Sequence, residues 1–145
     1  MIAIGSDHAG FEYKERIRKL LDEMKVSYKD CGTTSKDSTD YPDFAHSVAS
    51  SVSSGECKQG ILVCGTGIGM SIVANKHKGI RAAACESTTA ARLARQHNDA
   101  NILAIGERVT GLETAADIVR TFLSTSFEGG RHQRRVDKIS TLTNL

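Results

Sequence analysis

The chain has 145 residues, 39% of them apolar and 25% charged, with a formal net charge of +2. That length suits one hydrophobic core and a single domain over residues 1–145, and so mild a charge does not mark a nucleic-acid binder. With four Phe, three Tyr and no Trp, the chain also lacks the aromatic surface on which single-stranded bases stack.

The four cysteines, Cys31, Cys57, Cys64 and Cys85, form no CxxC pair and no Cys/His spacing of the zinc type, so neither a disulfide framework nor a structural metal is expected. The opening MIAIGSDHAG has no basic region and meets Asp7 too early for an export signal. Residues 60–75, the most apolar stretch, are broken by glycines and carry Thr66 and Ser71, which does not suit a bilayer span. A reducing cytoplasm is the expected setting.

In chain order, short apolar runs alternate with helical patterns, the grammar of a βαβ protein. IAIGS (2–6) reads as a first strand, followed by a helix over 11–24 with Ile17, Leu20, Leu21 and Met24 at helical spacing. VSYKDC (26–31) is a second strand. The polar stretch 32–43 is turn-rich, and Pro42 sits where a first helical turn accepts it; the helix beyond uses Phe44, Ala45, Val48, Ala49 and Val52. GILVC (60–64) is continuously apolar, as a central parallel strand buried on both faces should be, and a helix starts near Gly69. IRAAAC (80–85) gives a fourth strand, 88–97 a helix, NILAIG (101–106) a fifth strand and 111–125 an amphipathic helix. A basic helix over about 131–143 closes the chain. The sum is a Rossmann-like, doubly wound, five-stranded parallel sheet with a helical tail.

Ligands of such sheets bind beyond the carboxyl ends of the strands. Asp7 and His8 follow the first strand, Cys64 through Gly69 the third, and Glu86 and Ser87 the fourth. Glycines let backbone N–H groups approach an anionic oxygen, and the positive end of the following helix favours a thiolate at Cys64. The GxGxG run is open to three readings: a tight structural turn, a dinucleotide loop with Glu86 as its ribose-binding acid, or a sugar-phosphate cradle beside a reactive thiol. The spacing departs from GxGxxG, and no second domain remains to hold a hydride acceptor.

His97 ends a helix and precedes the fifth strand, which puts it at the opposite, amino edge of the sheet. It is either a cap or surface group, or a residue that meets Cys64 only across a subunit boundary. Arg131, Arg134, Arg135 and Lys138 share one helical arc, a face that is either solvated surface or a bidentate phosphate site.

Six ordered stretches, GSDHAGF (5–11), TDYPDFA (39–45), GILVCGTGIGMSIVANK (60–76), GIRAA (79–83), RQHNDANIL (95–103) and EGGRHQRRV (128–136), together resemble the type B ribose-5-phosphate isomerases from end to end. Relatives within that superfamily isomerise allose 6-phosphate or galactose 6-phosphate. The resemblance implies that Cys64 is the catalytic base, that His97 assists ring opening and that Thr66 helps to fix the sugar oxygens. It implies substrate contacts from Asp7, His8, Tyr41 and Asn98, an anion cradle from Gly65, Gly67, Ile68 and Gly69, and phosphate binding by Arg108, Arg131 and Arg135. It implies no cofactor and no metal, and a homodimer or tetramer with sites shared between subunits. A second branch of the family carries a glutamate base where this chain has Met70, so the cysteine branch is the one resembled.

Overall fold

The structure is a computed structural model that describes all 145 residues. Its core is a five-stranded, all-parallel sheet: β1 (Ile2–Ser6), β2 (Tyr28–Asp30), β3 (Gln59–Cys64), β4 (Ala82–Ala84) and β5 (Ile102–Gly106), in the order β2-β1-β3-β5-β4. Six helices intervene or follow: α1 (Phe11–Glu23), α2 (Tyr41–Ser53), α3 (Ile68–Ala74), α4 (Thr88–Asn98), α5 (Leu112–Ser124) and α6 (Arg131–Thr143). No helix is long and apolar enough to cross a membrane.

The continuous apolar runs are buried on both faces, as two covering layers require. Ile2, Ile4, Ile61, Val63, Leu103 and Ile105 point to a core closed by Ile17 and Leu21 of α1, Ala91 and Ala94 of α4, and Ile118 and Phe122 of α5. The alternate residues Ala3, Leu62, Cys64, Ile102 and Ala104 face Val48 and Ala49 of α2 and Met70 and Ala74 of α3. Cys57 and Cys85 are buried in these layers and Cys31 packs against the second.

Two strands are shorter than the sequence pattern suggests. Val26 and Ser27 do not enter β2, because Lys25 takes a left-handed φ of 57° and the Val26 N–H turns back to the Leu21 carbonyl, closing α1. Ile80 and Arg81 stay out of β4: the Ile80 N–H turns back to the His77 carbonyl at 3.2 Å, and the Asn101 side chain accepts the Arg81 N–H at 2.8 Å and donates to the Gly79 carbonyl. α3 starts one residue earlier than its apolar pattern, at Ile68, and α6 spans the expected 131–143.

The strand order changes which residues are neighbours. β5 inserts between β3 and β4, so Gly106 lies beside Cys64 while β4 forms the sheet's edge. Glu86 and Ser87 therefore lie one strand further from the glycine loop than chain order implies, and the Ser87 Oγ accepts the Ala90 N–H to cap α4. That removes the ribose-acid role considered for Glu86 in a dinucleotide loop.

Candidate active site

Four connections meet at the carboxyl edge of the sheet, after β1, before α2, after β3 and after β5. The Asp7 carboxylate, buried to 7% exposure, accepts the Gly10 N–H at 3.1 Å and sets a single 3₁₀ turn over His8–Gly10. His8 is clasped to the facing loop in both directions: its backbone N–H donates to Thr39 Oγ1, and its Nδ1 accepts the Thr39 N–H at 3.1 Å. With Nδ1 accepting, a neutral His8 ring carries its proton on Nε2 as a donor.

Cys64 ends β3 with 5% exposure, and its Sγ accepts the Gly67 N–H at 3.1 Å. Gly67 makes this possible by adopting a φ of 80°, a left-handed conformation that side chains rarely take, with the Ile105 carbonyl carbon 3.1 Å from where a Cβ would stand. Thr66 is exposed, and its Oγ1 accepts the N–H of Ile68, itself 55% exposed. Since α3 has only seven residues, the loop's own N–H groups, rather than a long helix dipole, supply the positive character expected here.

β5 locks the other side of the loop. The Glu107 and Arg108 N–H groups donate to the carbonyls of Cys64 and Gly65 at 2.9 Å, and Gly106 lets the two backbones touch, since a Cβ there would lie 2.5 Å from the Thr66 Cα. The guanidinium of Arg108 borders Gly65, and the ring of Tyr41, at the start of α2, lies against Gly69. Asp7, His8, Tyr41, Cys64 to Gly69 and Arg108 thus form one edge. Met70 faces away, fully buried between α2 and α3.

His97, Asn98, Arg131 and Arg135 do not join that edge within the chain. α4 runs from the carboxyl end of β4 back to the amino end of β5, so His97 and Asn98 lie at the opposite rim. There His97 stacks on His132, with ring centroids 4.4 Å apart, and Asn98 borders a groove of about 390 Å³ between β4 and α6. Arg131 and Arg135 are exposed on α6, and neither takes part in an ion pair.

The sequence profile of the Ribose/Galactose Isomerase family matches residues 2–139. The chain belongs to this family. Among its relatives, ribose-5-phosphate isomerase B of Escherichia coli is 52% identical over 97% of this chain and 95% of that one. The structure of ribose-5-phosphate isomerase B from Clostridium thermocellum superposes with a TM-score of 0.97 at 53% identity, covering 99% of this chain and 97% of that one. The Mycoplasma genitalium ribose-5-phosphate isomerase B, solved with bound ribulose-5-phosphate, gives a TM-score of 0.94 at 43% identity, with 99% and 95% covered. This is a sugar-phosphate isomerase of the ribose/galactose isomerase family, with the α/β fold of its relatives.

Two further residues build the edge. Thr39 holds His8, and Glu107 accepts the Tyr13 N–H at 3.3 Å, which fastens the first turn of α1 to the β5 loop. Burial raises the Glu107 carboxyl above the ordinary range. A signal for Glu107 was present in its position directly after a strand's carboxyl end; Thr39 stands in a polar loop where nothing local distinguishes it.

Proposed function

We propose that the chain interconverts D-ribose 5-phosphate and D-ribulose 5-phosphate through a cis-enediolate. The observation that carries this reading is the Cys64 sulfur, which accepts the Gly67 N–H at the mouth of the glycine loop, in a chain that matches ribose-5-phosphate isomerase B proteins end to end. With the furanose open, the Cys64 thiolate takes the C2 proton of the aldose. The electron pair moves to make the C1–C2 enediolate with its charge on the C1 oxygen, a proton passes from the C2 oxygen to the C1 oxygen, and the thiol returns its proton to C1 as the C2 oxygen becomes the ketone. Thr66 and the N–H groups of Gly65 and Gly69 stabilise the negative oxygen, joined by those of Gly67 and Ile68 as the substrate displaces their bonds to Cys64 Sγ and Thr66 Oγ1. Asp7, His8 and Tyr41 hold the sugar against the base, with Arg108 beside the loop to bind the phosphate. Neither a cofactor nor a metal enters these steps.

His97 opens the ring, with Asn98 contacting the sugar and Arg131 and Arg135 binding its phosphate. Since these four stand at the rim opposite Cys64, each site takes them from a second subunit, and the working form is a homodimer or a tetramer of such dimers. A phosphate held by Arg131 and Arg135 of one subunit and by Arg108 of the other, beside that subunit's thiolate, fixes C1 and C2 at the base, turning remote binding energy into positioning. The free thiols suit a reducing cytoplasm.

The test is kcat/KM for ribose 5-phosphate, allose 6-phosphate and galactose 6-phosphate, measured beside Cys64→Ala. Preference for the pentose, with turnover abolished and sugar-phosphate binding retained in the variant, is expected. Preference for a hexose phosphate changes the substrate and keeps the chemistry. Binding without turnover in the unaltered protein makes it a noncatalytic sugar-phosphate module.

A further inference from the structure

Three side chains with metal-ligand chemistry meet where the end of α4 packs against the start of α6. His97 lies in the last turn of α4, Glu128 in the loop after α5, and His132 in the first turn of α6. Their ligand atoms all lie within 4.8 Å of one another. His132 Nε2 stands 3.4 Å from a Glu128 carboxylate oxygen, and the His97 and His132 rings are stacked with their planes 12° apart.

The backbone frame around the three is held in place. The Glu128 N–H donates to the Gln96 carbonyl at 3.1 Å, tying the loop to α4, and the His132 N–H donates to the Gly129 carbonyl at 3.0 Å. His132 is buried while the Glu128 side chain is about half exposed, so one ligand is anchored and another is free to swing.

Two imidazoles and one carboxylate are the protein ligands of an open zinc site, whose fourth position takes water. Bonds of about 2.0–2.1 Å in tetrahedral geometry put ligand atoms about 3.3 Å apart. The three atoms must therefore close by at most about 1.5 Å, a side-chain movement. The stacked rings cannot both aim a lone pair at one ion, so binding turns the His97 ring out of the stack. Arg131, Arg134 and Arg135 on the same helix oppose a cation, and Glu128 is the one acid in the set. That balance suits a reversible regulatory ion better than a permanent structural one.

We propose that His97, Glu128 and His132 form an inhibitory site for a divalent ion of the zinc class, which silences the isomerase by taking the His97 nitrogen that would otherwise transfer a proton. The inhibition rests on the role given to His97 above; the metal site does not.

The experiment titrates metal-free protein with Zn²⁺ by calorimetry and follows isomerase activity in the same buffer. One Zn²⁺ per subunit is expected, with activity lost in step with occupancy and restored by EDTA, while Mg²⁺, which prefers oxygen ligands, does neither. Glu128→Gln keeps the metal-free kcat/KM and weakens both zinc binding and inhibition by about tenfold or more. Because a thiolate is also a zinc ligand, the decisive control is Cys64→Ala, which should still bind one Zn²⁺ with the affinity of the unaltered protein. Absence of stoichiometric binding, its loss in Cys64→Ala, or unchanged binding in Glu128→Gln would overturn the site. Stoichiometric binding with activity intact would overturn the inhibition. If the metal-free protein isomerises no sugar phosphate, the proposed reaction fails, and the calorimetric stoichiometry still decides the metal site.

Discussion

Cys64 and Cys85 are both buried cysteines, yet their surroundings differ in kind. Cys64 receives a backbone N–H at 3.1 Å and opens onto a loop, whereas the Cys85 thiol faces the apolar layer and burial pushes it up to about 11. At pH 8 such a thiol is ionised to about one part in a thousand. Iodoacetamide at pH 8 should therefore label Cys64 and spare Cys85, as read by peptide mass spectrometry, with sugar phosphate protecting Cys64. Glu107 offers a test by pH. Burial raises its carboxyl, so the folded state keeps the proton to a higher pH than the unfolded chain does. Stability contributed by this group is then present at low pH and falls as pH rises through the raised value. Glu107→Gln keeps an oxygen for the Tyr13 N–H and removes that slope. Its melting temperature, compared with the unaltered protein between about pH 4 and 7, should show a difference that grows with pH in the variant's favour.

Among the elements, the loop between β3 and α3 depends most on glycine. Gly106→Ala places a Cβ 2.5 Å from the Thr66 Cα, against backbone that cannot move aside as a side chain would. A loss of more than about 2 kcal/mol is expected, along with a fall in kcat from displaced Thr66, measured by denaturant unfolding and steady-state kinetics. β4, the edge strand, is held by side chains that replace a missing neighbour: Asn75 accepts the Ala82 N–H at 2.7 Å and donates to the Ala82 carbonyl at 2.9 Å. Two hydrogen bonds from one amide close the sheet edge at that residue. Ser87→Ala removes the α4 cap and should cost about 1 kcal/mol, with no change in KM if Ser87 lies outside the site, as the strand order has it.

For the whole molecule, the decisive feature is the separation of Cys64 and His97 to opposite rims of one sheet. If each site draws from two subunits, Cys64→Ala and His97→Asn homodimers are each inactive, while a mixed population recovers activity. In a two-fold dimer, random exchange makes half the dimers mixed, each with one complete site of two, so about a quarter of normal activity should return. No recovery after verified exchange would place both residues' work within single subunits.

The alternation of continuous apolar runs with amphipathic segments determined the α/β layering by itself, because burial on two faces demands apolar residues at every strand position and on one stripe of each helix. The glycine loop and the residues after β1 were legible for a related reason: strand carboxyl ends are where such sheets bind ligands. Strand order was not legible, since hydrogen-bond registry between β3 and β5 involves residues about forty apart, and it alone decided that Glu107 and Arg108, not Glu86, flank Cys64. The clasp of Thr39 on His8 and the meeting of His97, Glu128 and His132 likewise came from the packing of distant segments. A sequence pattern records which face of each element is apolar; which polar residues those faces bring together is settled only when the elements dock.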